Sequence, residues 1–370
     1  MMKQIGLYVH IPFCKQKCAY CDFSSYAGRE CDMERYICHL IDEINERASK
    51  EYQIDTLFIG GGTPSLLPPD LMEKLLSALH SSFFFSPDAE CTCECNPGTV
   101  TKDFLTILKQ NGINRLSFGA QASQSGLLSL LGRIHTWAQV KESVDMAHQA
   151  GFENINLDLM LGLPEQTVED LSETLDAALA LSPFHLSCYG LIVEEGTKMY
   201  AMVESGKWHL PNEDTEREMY ELCRKRLTDY GMIQYEISNF ALPGHACRHN
   251  TDCWSRKEYL GFGCAACSFL DEKRYQNPSN LDDYLSGKAP EIIPISREDA
   301  RFESIMLGLR MMKGVSLSQF QAMHGVELMD IYGERLQKSF SLGLVVLQDG
   351  YLRLTRKGMD VQNAVLVELL

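Results

Sequence analysis

From the first residues to about residue 240, short β-rich runs alternate with segments of helical period, and that alternation restricts the chain to folds built from parallel βα units. Six runs read as strands: Ile5–Val9, Asp55–Ile59, Glu90–Glu94, Arg115–Phe118, Asn154–Met160 and His185–Leu191. Between them lie amphipathic segments. Met33, Tyr36, Ile37, Leu40, Ile41 and Ile44 recur at steps of three and four, with Glu34, Asp42, Glu43 and Glu46 off the stripe, so one apolar face is offered to a sheet. Val168, Leu171, Leu175, Ala178 and Leu179 repeat the pattern. Right-handed crossovers of this kind curl into a barrel or open arc, with chemistry gathered at the C-terminal ends of the strands. The expected class is α/β, with a partial (β/α)6 barrel over residues 1–240.

After a connecting segment, 241–294, the pattern changes. Over 295–370 the spacing predicts short helices near 297–312, 317–324 and 328–341, two small strands near 344–347 and 351–354, and a final helix from Arg356. Three helices with a β-wing describe a mainly helical, winged-helix-like domain.

At the end of the first strand comes Cys14-Lys15-Gln16-Lys17-Cys18-Ala19-Tyr20-Cys21. Three thiols on one short loop, spaced C-x3-C-x2-C, suit an iron–sulfur cluster, and a cubane given three thiolates instead of four keeps one iron open to a chelating molecule. Two plainer readings compete. With 14 cysteines in the chain, a triplet also arises where free thiols pack as small hydrophobes. Zinc is the other, but structural zinc sites pair two C-x2-C-like halves, and this loop is a poor half.

Polar and glycine residues then recur at the same strand ends. Gly60-Gly61-Gly62-Thr63 follows the second strand, where residues without side chains let backbone amides approach a ligand. Glu94 closes the third strand, and Gln121, Arg133 and Asp158 follow on later units. Cys91, Cys93 and Cys95 alternate along a strand and read as core, as do Cys31, Cys38, Cys188 and Cys223.

With these residues assembled, the chain resembles the radical S-adenosylmethionine superfamily, and within it the group of oxygen-independent coproporphyrinogen III oxidases and related heme chaperones. The resemblance covers nearly the whole chain. It implies that Cys14, Cys18 and Cys21 hold a [4Fe–4S] cluster whose fourth iron is chelated by S-adenosylmethionine. It also implies that Tyr8, Gly61 and Glu94 contact that molecule, while Tyr20, Gly62, Thr63, Gln121, Arg133 and Asp158 fall where the oxidase binds a second one. Family chemistry is one-electron reduction of the sulfonium, which requires an electron donor.

The oxidase resembles C-x3-C-x2-C-x-C and carries an N-terminal extension; here Phe23 stands at the fourth cysteine position and only a few residues precede the first strand. Coproporphyrinogen dehydrogenation is therefore not expected, and the resemblance favours a heme chaperone delivering heme to recipient proteins. The alternative is a radical enzyme acting on a tetrapyrrole, or a related methyltransferase. The chaperones' His-Asn-x-x-Tyr-Trp signature appears as His249-Asn250-Thr251-Asp252-Cys253-Trp254, with Cys253 for tyrosine, and a later Gly-x-Gly-Ala-His-Ser segment has Cys267 for histidine. His249 reads either as an axial heme ligand or as a residue holding a loop by hydrogen bonds. Cys247, Cys253, Cys264 and Cys267 offer the spacing of an auxiliary metal site.

Charge narrows the partners. Fifty acidic against 34 basic residues give a net charge of -16, the wrong sign for a nucleic-acid footprint. The first residues carry no apolar leader, and apolar runs fall short of the roughly 20 residues a bilayer span needs. Reduced thiols, cytoplasmic location and at most peripheral membrane contact are the expectations.

Overall fold

The computed structural model describes residues 2–370. Six parallel strands form its centre: β1 (Lys3–Ile11), β2 (Tyr52–Gly61), β3 (Phe84–Cys95), β4 (Arg115–Gln121), β5 (Asn154–Leu161) and β6 (His185–Gly190). Each pairs with the next in sequence, in parallel. That order requires a crossover between every pair. Helices α1 (Met33–Arg47), α2 (Pro69–Ser82), α3 (Lys102–Gln110), α4 (Ser125–Leu130), α5 (Trp137–Gln149) and α6 (Val168–Leu179) lie in those crossovers. Capping boxes, Thr136 with Gln139 and Thr167 with Asp170, start α5 and α6, satisfying amides that the first helical turn leaves free.

The stripe on α1 buries Met33, Tyr36, Ile37, Leu40 and Ile44, whereas Ile41 is only half-buried. Cys38 is exposed, and so is Cys31 in the turn before the helix. Both were expected in the core. Cys38 lies off the buried stripe, so its position in a helix does not bury it.

Further strands extend the sheet on both sides: β7 (Ile233–Gln234), β8 (Asn239–Ala241), β9 (Tyr259–Phe262), β10 (Cys267–Leu270), β11 (Lys273–Gln276) and β12 (Glu291–Pro294). The twelve strands run β12-β11-β10-β9-β1-β2-β3-β4-β5-β6-β8-β7, a linear order that leaves the barrel open. Strand β9 joins β1 in parallel, and β10 to β12 continue antiparallel. Leu260, Phe262, Leu281, Tyr284 and Leu285 from this segment share the barrel's own core.

Residues beyond Ile305 pack around a separate core that includes Leu309, Phe320, Leu328, Leu336, Leu352 and Val365. Helices Arg297–Gly308 and Leu317–His324 are followed by a break where one helix over 328–341 was expected. Leu328–Tyr332 and Gln337–Ser341 are separate helices. The wing has three antiparallel strands, Val315–Ser316, Tyr351–Leu354 and Val345–Gln348. Among the described residues no helix is long and apolar enough to cross a membrane.

Candidate functional site

A cavity of about 360 Å³ opens at the C-terminal ends of the barrel strands. Its wall is built by strand alternation: Arg115, Ser117 and Gly119 on β4 and Asn156, Asp158 and Met160 on β5 all reach it, because residues two apart share a face. The cysteine loop closes one side. Phe13–Cys14 pairs with Tyr26–Ala27, which brackets the loop, and its middle is stitched in place by Ala19 N–H to the Leu131 carbonyl (2.8 Å) and Met199 N–H to the Ala19 carbonyl (2.8 Å).

Cys14, Cys18 and Cys21 all line the cavity. Each sulfur has a polar companion: Thr63 Oγ1 donates to Cys14 Sγ (3.7 Å), Arg133 Nη1 donates to Cys18 Sγ (3.5 Å), and Ser25 Oγ lies 3.9 Å from Cys21 Sγ. Burial pushes the Cys14 and Cys21 thiols up, and the Thr63 and Ser25 hydroxyls oppose that. Donors aimed at sulfur favour a thiolate. Cys95 also reaches the wall, but its thiol donates to the Cys93 carbonyl (3.9 Å). No three His, Cys, Asp or Glu side chains among the described residues converge closely enough for a single metal ion. A cubane presents a separate iron to each thiolate, so three wider-set sulfurs on one face fit it.

The glycines close the wall beside the cysteine loop. Gly61 N–H donates to Glu94 Oε2 (3.1 Å) and Gly62 N–H to the Ile11 carbonyl (2.8 Å), so neither amide is left for a ligand. Their value is space. Gly61 has φ +113, and a Cβ there would lie 2.5 Å from the His10 ring; at Gly62 it would lie 2.7 Å from the Phe13 carbonyl and 3.0 Å from Cys14 Sγ.

Acidic and basic groups line the same lumen. Glu94 is pushed up to about 8, first by burial, then by the Asp158 charge. Asp158 is also raised by burial, though Asn156 Nδ2 (2.8 Å) and Ser117 Oγ (3.1 Å) donate to it. Asn156 in turn holds His185, whose other nitrogen meets the Tyr235 hydroxyl at 2.8 Å. Arg133 donates to Asn96 Oδ1 and to the Gly119 carbonyl (2.7 Å). Gln121 has φ +64 at a register shift between β4 and β5, a bulge that re-aims its side chain into the cavity.

The structure brings Tyr20, Gly61, Gly62, Thr63, Glu94, Gln121, Arg133 and Asp158 to this cavity with the three cysteines. Tyr8 lies outside it, its hydroxyl 2.9 Å from His10 Nδ1. His10 completes that link through the Ser24 carbonyl (3.0 Å). His249 also lies outside: 6% exposed, it sits 3.0 Å from Thr56 Oγ1 and stacks on Phe58. Burial, then the Arg115 charge, lowers its pKa to about 4. Its neighbour Asn250 does reach the wall. The four later cysteines do not assemble. Cys247 faces Glu90, Cys264 the Pro278 carbonyl and Cys267 Gln276. Sequence reading missed Arg115, Ser117, Asn156 and Ser187. The available signal was polar residues two apart within strands buried on both faces.

The Radical SAM superfamily matches residues 8–178 and the HemN C-terminal domain matches residues 295–361. The heme chaperone HemW of Bacillus subtilis (strain 168) is 37% identical over 367 residues, covering 97% of each chain. The chain belongs to the HemW family. HemW of Escherichia coli (strain K12) is 34% identical over 371 residues, covering 98% of this chain and 97% of its own. The fold is shared with coproporphyrinogen III oxidase (HemN) from Escherichia coli, at TM-score 0.87 and 24% identity, over all of this chain and 90% of that one. Radical SAM membership of the HemW family implies a [4Fe–4S] cluster and S-adenosylmethionine.

Proposed function

We propose that this chain is a cytoplasmic heme chaperone that holds a [4Fe–4S] cluster and S-adenosylmethionine, binds heme, and passes it to recipient proteins. The observation that carries the reading is the full-length similarity to HemW proteins, joined to a lumen lined by three thiols and a set of polar side chains. Cys14, Cys18 and Cys21 are the cluster ligands in this proposal. Cluster and S-adenosylmethionine together supply one-electron reducing chemistry when bound, fed by an electron donor. The protein's own part is binding and shelter. Thr63 and Arg133 orient two of the sulfurs, and Glu94, Gln121 and Asp158 offer acceptors and donors for ribose, ammonium or amide groups. Tyr20 and Phe58 supply apolar wall that excludes water.

Phe23 argues for carriage over porphyrinogen oxidation. It stands where the oxidase has a further cysteine, is 62% exposed, and lines the cavity mouth, a place where an aromatic ring meets a flat apolar ligand. The test is anaerobic reconstitution with iron and sulfide, titration with heme, and an assay of coproporphyrinogen decarboxylation on the same material. Heme uptake followed by transfer to an apo-cytochrome, without decarboxylation, is the expected result. Decarboxylated product from material that takes up no heme would refute it.

A further inference from the structure

Arg115 opens β4 and is 2% exposed, yet its Nε has no hydrogen-bond partner. An arginine so deeply placed is ordinarily tied down, because a buried charge without partners is costly. Arg133, whose Nε is likewise unpartnered, is still anchored through its two terminal nitrogens on Asn96, Gly119 and Cys18. The carboxylates whose charge Arg115 feels are engaged elsewhere. Glu90 takes the backbone N–H groups of Arg248 and His249, both at 3.0 Å, and Asp158 takes Asn156 and Ser117. Alternation on β4 places Arg115 in line with Ser117 and Gly119, and all three line the cavity.

We propose that Arg115 is a binding residue whose guanidinium takes the carboxylate of the molecule that fills the barrel lumen. The inference rests on the lumen being the ligand site of the proposed function. A guanidinium pairs with a carboxylate through two parallel N–H bonds. Asp158, which lines the same cavity, disfavours a doubly charged phosphate, whereas a single carboxylate leaves Asp158 and the protonated Glu94 free to meet neutral or cationic groups of the ligand. Two sources supply such a carboxylate: the amino-acid end of an S-adenosylmethionine molecule, and a propionate of a tetrapyrrole.

The experiment uses the full chain with its cluster rebuilt. Dissociation constants are measured for wild type and Arg115→Gln with two ligand pairs, heme against its dimethyl ester and S-adenosylmethionine against its decarboxylated form. In one pair, removing the ligand carboxylate weakens wild-type binding about 30-fold or more beyond the loss in Arg115→Gln, the fold-change of truncating one partner of a buried charge pair. The heme pair showing this assigns a propionate, and the nucleotide pair assigns the amino-acid end. Any carboxylate contact to iron is common to both proteins and cancels in the comparison. Arg115→Lys keeps the charge without the two-pronged contact and falls between them, which covers a poorly folding glutamine variant. Ligand-free Arg115→Met melts no lower than wild type if the guanidinium awaits a ligand. Equal losses in both proteins for both pairs, or a marked fall in the methionine variant's melting temperature, overturn the assignment in favour of a structural counter-charge. Protein that takes up neither heme nor its ester refutes the carrier reading alone, and the nucleotide pair then still decides Arg115.

Discussion

Replacing Glu94 by glutamine tests the electrostatics of the lumen in the absence of any ligand. In the folded chain this carboxyl titrates near 8 in place of 4.5, because burial and then the Asp158 charge disfavour its ionised form more than the Gly61 N–H and Arg115 favour it. Between those two pH values the unfolded chain has released the proton and the folded chain still holds it, so stability falls as pH rises through that window and levels off above it. At about 1.4 kcal/mol per pH unit, the loss approaches 5 kcal/mol by pH 8, and about 3 kcal/mol of it falls between pH 5.5 and pH 8. Glutamine keeps an acceptor oxygen for the Gly61 N–H and does not titrate. Urea unfolding of the ligand-free protein in reducing buffer, run on both chains across this range, should show the advantage of Glu94→Gln growing steadily with pH. A difference that stays flat, or shrinks as pH rises, would refute the account of a neutral buried carboxyl.

Three further outcomes follow from the site. Alanine at Cys14, Cys18 or Cys21 should abolish iron and sulfide retention after reconstitution, while alanine at the exposed Cys31 should leave both unchanged; elemental analysis reads the contrast. Gly62→Ala forces a methyl against the Phe13 carbonyl and Cys14 Sγ. It should lower stability by about 1–3 kcal/mol and reduce cluster occupancy, measured by thermal melting and visible absorption. His249→Ala removes the pairing with Thr56 and the stacking on Phe58, which should lower stability by about 2 kcal/mol or more without moving the absorption maximum of bound heme. A shifted maximum would instead place the imidazole on the iron.

The barrel was legible because short β-rich runs recur at intervals set by helices that carry a clear apolar stripe. Each of the six expected strands is present, and most extend beyond the expected run, since pairing continues past the last apolar residue. Lys3 and Gln4 of β1, for example, pair with Tyr52 and Gln53. The extension by β9 to β12 was not legible. Four-residue strands such as Lys273–Gln276 have too few alternations to stand out, and tertiary pairing decides them. At the site, spacing alone exposed the cysteine loop, because three ligands on one turn form a local pattern. Arg115, Asn156 and Ser187 belong to three different strands, and only the curl of the sheet puts them on one wall. The glycine run was legible as a close approach but not as to what: the groups approached are His10 and the cysteine loop, which lie more than 40 residues away in sequence.

A lumen of this kind works against the stability of the ligand-free fold. Hydrophobic side chains in place of Glu94, Asp158 and Arg115 would pack the barrel without charge burial, and such exchanges are often neutral or stabilising. The chain instead keeps two carboxyls with raised pKa values, Glu94 and Asp158, and the Arg115 guanidinium with its Nε unpartnered. Binding a ligand with complementary groups converts them from liabilities into contacts, and the free energy released adds to affinity. Stability and occupancy are then linked: a ligand that binds only the folded chain raises its stability by RT ln(1 + [L]/Kd), about 2.7 kcal/mol at a hundredfold excess over Kd. Removing the charged groups weakens that linkage while leaving the empty fold intact, which separates residues kept for binding from residues kept for the fold.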